Sequence, residues 1–170
     1  KDGKWGVINK GGQFVHKCEY DSISEFTDGV ALADLNGVKH YLYSNGSKKV
    51  LSMDYEYHTF SDGYTRIKSR KNGKWGYANM RGVIRINPAY DSATDFKNGH
   101  AVVTKKGKAY SINKKGDRKG LSFKPDESLV VFENGNGYIK NAKGNYDFYV
   151  RNLSNKIGEY SEISKYSDGV

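Results

Sequence analysis

The chain has 170 residues, 36% hydrophobic and 14% aromatic, with 28 Lys and Arg against 19 Asp and Glu for a formal charge of +9. That is the size of one ordinary domain, and the aromatic content excludes a disordered tail. Two prolines and one cysteine exclude a Pro-rich linker and a disulfide scaffold, and no apolar run approaches the ~20 residues of a membrane helix, so no membrane insertion is expected.

The chain opens on a turn, Lys1-Asp2-Gly3-Lys4, without an initiator Met, and reads as an excerpt of a longer protein. Lys4 to Asn9 is a strand, and Gly12 marks the next turn. Phe26-x-x-Gly29 forms a corner, followed by the alternating segment Val30 to Leu35 and an Asn36-Gly37 hairpin. Asn-Gly favours a two-residue hairpin because both central residues must tolerate positive φ. The order recurs. Phe60-x-x-Gly63 precedes Tyr64 to Ile67, then Asn72-Gly73, the strand Lys74 to Asn79, and Val83 to Asp91, with Pro88 at a strand end or edge. Phe96-x-x-Gly99 leads into His100 to Thr104 and the Lys106-Gly107 turn, and Phe132-x-x-Gly135 and Tyr166-x-x-Gly169 follow. The stretch from Tyr90 to Phe96 reads as a turn or a single helical turn.

These corners are spaced 34, 36, 36 and 34 residues apart. A second ladder keeps the same register: Gly3 and Gly12, Gly37 and Gly46, Gly73 and Gly82, and Gly107 and Gly116 are each nine apart. The chain is therefore a tandem repeat. It holds about five copies over 1–170, approximately 1–26, 27–60, 61–96, 97–132 and 133–166. β-branched and aromatic enrichment with period-2 alternation makes it all-β, with three short antiparallel strands per repeat of about 35 residues. A lone repeat of this length cannot bury its apolar face, so neighbouring copies must stack, as an open twisted array or as a closed propeller-like ring.

Aligned repeats separate core from surface. Ala31 and Ala33 fall on Thr65 and Ile67, Ala101 and Val103, and Gly137 and Ile139, which form one packed face. Apolar columns run through Ile23, Tyr57, Ala93, Leu129 and Ile163, and through Ile8, Leu42, Ala78, Ile112 and Tyr149. Phe26, Phe60, Phe96 and Phe132 read as core, as do Trp5 and Trp75, whose following glycines allow a close backbone approach. Tyr20, Tyr90 and Tyr160 lie 70 apart, like the two Trp, so odd and even repeats alternate.

Gly3-Lys4-Trp5-Gly6-Val7-Ile8-Asn9-Lys10-x-Gly12 and Gly73-Lys74-Trp75-Gly76-Tyr77-Ala78-Asn79-x-x-Gly82, with Pro88-x-Tyr90-Asp91 and Phe96-x-x-Gly99-x-Ala101-x-Val103, resemble the WG (KWG) repeats of bacterial proteins. Repeats two and four lack the Trp-Gly pair, having Val38 to Tyr41 and Lys108 to Ser111 there. The resemblance implies an all-β repeat protein, secreted or surface-attached, with no common enzymatic activity and no catalytic residues to carry over.

No nucleotide-binding loop, nucleophile elbow or EF-hand loop is present, and no catalytic role or cofactor is expected. His16-x-Cys18 lacks the further ligands that zinc requires, so no metal site is expected, and Asp28, Asp62 and Asp168 read as turn-capping residues before glycine. The scattered Lys residues read as solvated turn charges, and only six cations are Arg.

One column varies in chemistry from repeat to repeat: Val30 and Leu32, Tyr64 and Arg66, His100 and Val102, Asn136 and Tyr138. It is either a contact strip or a second, less regular packed layer. As a contact strip its candidate binding residues are Tyr64, Arg66, His100 and Tyr138, types that suit protein hot spots and sugar stacking. The expected function is a non-catalytic binding or scaffold module for a protein or cell-surface glycan. The alternatives are an electrostatic binder of an anionic polymer, such as nucleic acid or wall polymer, and an accessory domain of an enzyme.

Overall fold

A computed structural model describes residues 3–126, 128–132 and 134–163. Lys1-Asp2 and the fifth corner, Tyr166 to Gly169 with Asp168, lie outside the described residues. The chain divides into two compact halves, residues 1–95 and 96–170. Among the described residues every regular element is a β-strand, the strands pair antiparallel within small sheets, and no sheet closes into a barrel.

The first half holds β1 (Trp5–Ile8), β2 (Phe14–Tyr20), β3 (Ser22–Ile23), β4 (Val30–Leu35), β5 (Val38–Tyr43), β6 (Lys48–Val50), β7 (Tyr55–Ser61), β8 (Tyr64–Ser69), β9 (Trp75–Asn79), β10 (Ile84–Tyr90) and β11 (Ser92–Ala93). β1 and β2 form a ribbon, β3 to β6 a four-stranded meander, and β7 to β10 another. The second half holds β12 (His100–Lys105), β13 (Lys108–Asn113), β14 (Arg118–Gly120), β15 (Val130–Val131), β16 (Gly137–Lys140), β17 (Tyr146–Val150) and β18 (Asn155–Tyr160). There β12 to β14 form one meander and β15 to β18 a second, four-stranded one.

Each four-stranded sheet thus carries one strand more than the alternation spells out, an opening strand just ahead of the Phe corner. In β3 and β15 it is only two residues long, too short for a period-2 signal. The stretch from Tyr90 to Phe96 likewise contains strand, Ser92–Ala93, in place of the turn or helical turn expected.

The corners follow from local backbone chemistry. Asp28-Gly29, Asp62-Gly63 and Asn98-Gly99 all take positive φ, between 46° and 81°. That is the geometry of a type I′ turn, and Asn or Asp followed by Gly accepts it with little strain. Thr27 and Val30 exchange backbone hydrogen bonds of 2.9 and 3.0 Å around the first corner. A further recurring device is Asn-x-x-Gly. The Oδ1 of Asn9, Asn79, Asn113 and Asn141 each accepts two backbone N–H bonds from the turn that follows, at 2.9–3.2 Å.

The packed face matches its alternation: Ala31, Ala33, Thr65, Ile67, Ala101, Val103 and Ile139 are all buried. In the first half Val30, Tyr41, Leu51 and Phe60 form one cluster, and Tyr20, Ala33 and Leu42 another. In the second half Val102, Ile139, Tyr149 and Leu153 form a third.

Three expectations of burial fail. Trp5 is 61% exposed, Ile8 59% and Phe26 36%, whereas Phe60 and Phe96 are buried. The comparison with positions 70 residues on gives the reason for the first two. β9 lies between β8 and β10, whereas β1 has β2 as its sole strand partner among the described residues. Trp75 is half-buried, with the His58 ring 5.1 Å away and Arg66 and Lys68 at 5.4 and 5.5 Å, all supplied by β7 and β8. Trp5 has no such cover among the described residues. The tyrosine column diverges too: Tyr20 and Tyr90 are buried, and Tyr160 is 49% exposed.

The glycines of the Trp-Gly pairs do permit close approach. A Cβ on Gly6 would meet His16 O and Cys18 N at 2.8 Å, and one on Gly76 would overlap Ile86 O and lie 2.6 Å from Pro88 N.

Candidate functional site

The four candidate binding residues occupy different environments. Arg66, on β8, is held within the first half. Its Nε donates to Asp95 Oδ1 at 2.6 Å, its Nη1 donates to Ala93 O at 3.1 Å, and its guanidinium lies over the Trp75 ring. Tyr64, two residues back on the same strand, is half-buried opposite Asn79 and Ser61. Beside this clasp His58 buries an Nε2 that has no hydrogen-bond partner among the described residues. Burial, and then the charge of Arg66, hold the His58 pKa below its ordinary value.

In the second half Tyr138, on β16, packs edge-on against Tyr146 at 5.6 Å and Phe132 at 5.9 Å. His100, on β12, lines a polar cavity of about 350 Å³, near the lower end of the ~300–1,000 Å³ range of small-molecule sites. The varying column is partly a packing layer, since Val30 and Val102 are buried in it, and partly half-buried polar surface. Within the second half, His100 lines the cavity and Tyr138 does not.

Three side-chain exchanges set the cavity lining, and two of them open space. Repeats two and four share one register with an offset of 70, so His100, Ser111 and Asn113 stand where Val30, Tyr41 and Tyr43 stand in the first half. There Val30 pairs across the sheet with Tyr43, and Leu32 with Tyr41. Tyr41 is fully buried against Phe60, 4.9 Å between ring centroids, and burial raises its pKa. The Tyr43 hydroxyl donates to Met80 O at 3.0 Å. In the second half His100 pairs with Asn113 and Val102 with Ser111. Two phenol rings are replaced by a hydroxymethyl and a carboxamide, which leaves polar space.

The far wall is the loop Arg151 to Ser154. Arg151, Asn152 and Leu153 have φ of 54°, 55° and 64°, three consecutive non-glycine residues in the left-handed region, each costing about 1–2 kcal/mol. Leu153, 2% exposed within the Val102–Ile139–Tyr149 cluster, anchors the loop against that strain. Asn152 Nδ2 lies 3.3 Å from His100 Nε2, and His100 Nδ1 lies 3.2 Å from Asn98 O. The ring therefore donates from Nδ1 to the carbonyl and accepts at Nε2. Lys119 Nζ donates to Ser154 Oγ at 3.1 Å, and Ser154 Oγ donates to Arg151 O at 2.8 Å.

Sequence reasoning found His100 and missed Ser111, Lys119, Arg151, Asn152 and Ser154. The loss of Tyr41 and Tyr43 at offset 70 was the available signal. His16, weighed for metal, is buried and donates from Nε2 to Tyr43 O at 2.8 Å. Among the described residues no three of His, Cys, Asp and Glu come together as a metal site would need.

Residues 5–38 and 75–108 both match the family model described as WG containing repeat. The chain carries WG-containing repeats. The two matched WG repeats begin at Trp5 and Trp75 and reproduce the offset of 70. No curated protein matches the chain. Among solved structures, the computationally designed Ika8 protein superposes with a TM-score of 0.53 at 16% identity, over 93% of this chain and 57% of that one. The chain thus spans little more than half of that protein's length, and the likeness is one of fold alone. The dihydro-heme d1 dehydrogenase NirN (TM-score 0.49, 11% identity, 91% of this chain and 39% of that one) and the WD40 β-propeller domain of Doa1 (0.39, 12%, 86% and 55%) superpose too loosely to inform the fold.

Proposed function

We propose that the chain is a non-catalytic binding module that takes a cell-surface glycan at the cavity beside His100. The observation that carries this reading is the exchange of Tyr41 and Tyr43 for Ser111 and Asn113 between otherwise matching repeats, which replaces a packed aromatic layer with a polar cavity. The cavity volume suits a sugar-sized group, and its wall offers the Ser111 hydroxyl and the Asn152 amide oxygen for hydrogen bonding beside the Lys119 and Arg151 side chains.

The test is binding of the chain to a panel of cell-surface polysaccharides, with Ser111→Tyr as the variant that restores the side chain of the first half. Wild type should bind at least one polysaccharide, and Ser111→Tyr should lose it while keeping its far-UV circular dichroism. A Ser111→Tyr chain that folds and binds as wild type does would remove the reading.

The charge of +9 favours a second reading, electrostatic capture of an anionic polymer. Such binding would weaken steeply with salt through counterion release and would be indifferent to Ser111→Tyr. Binding that is flat with salt eliminates it.

A further inference from the structure

We infer that the cavity beside His100 is an oxyanion site, and that the group it holds is the carboxylate, phosphate or sulfate of an acidic sugar. The inference rests on the glycan reading and names the chemistry of its contact group.

Two cations line the cavity with their charge available to a ligand. Lys119 lies on the Ser111 face of the sheet, as its cross-strand pairing with Ser111 requires, and its ammonium holds one neutral acceptor, Ser154 Oγ. Arg151 lines the opposite wall, and its guanidinium has no hydrogen bond or ion pair among the described residues. An arginine fork binds a carboxylate or phosphate bidentately. The carboxylate in the cavity wall, Asp117, is already bound by the Asn113 amide at 3.0 Å. Arg118 also touches the cavity, but its guanidinium stacks 5.2 Å over the Tyr110 ring and is spent there.

The first half supplies the control. Lys49, the counterpart of Lys119, donates to the Arg81 carbonyl at 2.7 Å, and its cross-strand neighbour is the fully buried Tyr41 where Lys119 has Ser111. The lysine is thus common to both halves, while Ser111 and the cavity beside it belong to the second.

The experiment is calorimetric titration of the full chain with glucuronate, glucose and inorganic phosphate in a low-salt, phosphate-free buffer, repeated with Arg151→Gln, Lys119→Gln and Ser111→Tyr. Glucuronate should bind at least about tenfold more tightly than glucose, and Arg151→Gln should weaken it by about tenfold, the loss of one charge-assisted pair. Circular dichroism checks folding, and the two glutamine variants carry the test if Ser111→Tyr does not fold. Glucose binding as tightly as glucuronate, sensitive to Ser111→Tyr and indifferent to Arg151→Gln, overturns the oxyanion site and leaves the glycan reading standing. Phosphate binding that needs Arg151, with no saccharide bound, upholds the oxyanion site and removes the glycan reading. No binding of any probe overturns both.

Discussion

Gly73 and Gly76 sit three residues apart and are required for different reasons. Gly73 takes a φ of +68° with open space where a Cβ would go, so a side chain there meets backbone strain alone. Gly76 lies against the bulged stretch of β10, where a Cβ would overlap Ile86 O and crowd Pro88 N. Overpacking against backbone cannot relax by turning a rotamer. Gly73→Ala should cost about 1 kcal/mol, and Gly76→Ala about 3 kcal/mol or more. Urea denaturation of the two variants measures the difference, and equal costs would show that β10 yields to the added methyl. The same comparison explains why the pair is Trp-Gly: the glycine admits the neighbouring strand, and the tryptophan beside it can be covered by the strand on the other side.

At the scale of strands, one sequence pattern leads to two packing outcomes. Phe60 lies in β7 and packs on Tyr41 within the Val30–Leu51 cluster. Phe26 holds the equivalent corner position after the two-residue β3 and is 36% exposed. Phe60→Ala should destabilise by about 3–5 kcal/mol, and Phe26→Ala by about 1–2 kcal/mol. Chemical denaturation midpoints test both, and a large loss at Phe26 would contradict its exposure. β13 shows the same divergence with a functional consequence. It pairs in the register of β5, yet Ser111 and Asn113 leave open the space that Tyr41 and Tyr43 occupy.

For the whole molecule, stability should fall in two steps on acidification. His58 has a folded pKa below its ordinary ~6.5, so above that value both states are neutral and nothing is lost. As the pH falls below ~6.5 the unfolded chain takes up a proton that the folded chain resists, and stability declines. The second step belongs to carboxylates whose pKa values are lowered by cationic hydrogen-bond partners: Asp34 by Lys39, Asp147 by Lys156 and Glu19 by Lys48. Their stabilisation is present above the ordinary carboxylate value of ~4 and is lost as the pH drops through their lower folded values. Urea midpoints should therefore decline between pH 7 and 5 and again below about 4. His58→Gln should remove its share of the first step and leave the second, and an unchanged profile in that variant would refute the assignment.

The repeat period, the chain order of the main strands, the hairpin corners and the alternating packed face were all legible in the amino-acid sequence. They depend on residues adjacent in the chain: period-2 alternation decides which side chains share a face, and Asn or Asp before Gly decides where φ can turn positive. The two-residue opening strands were not legible, because a pair of residues carries no period. Burial was not legible either, because it depends on strands brought in from elsewhere. Trp5 and Trp75 share a motif, but β7 and β8 cover only the second. Arg66 read as a contact residue, and Asp95, 29 residues away, engages it. His100 was named from the sequence, while the cavity around it took shape only when β13 and the strained loop at Arg151 came to face each other. Empty space is a property of the neighbours a side chain meets in three dimensions, and no local pattern in the chain encodes it.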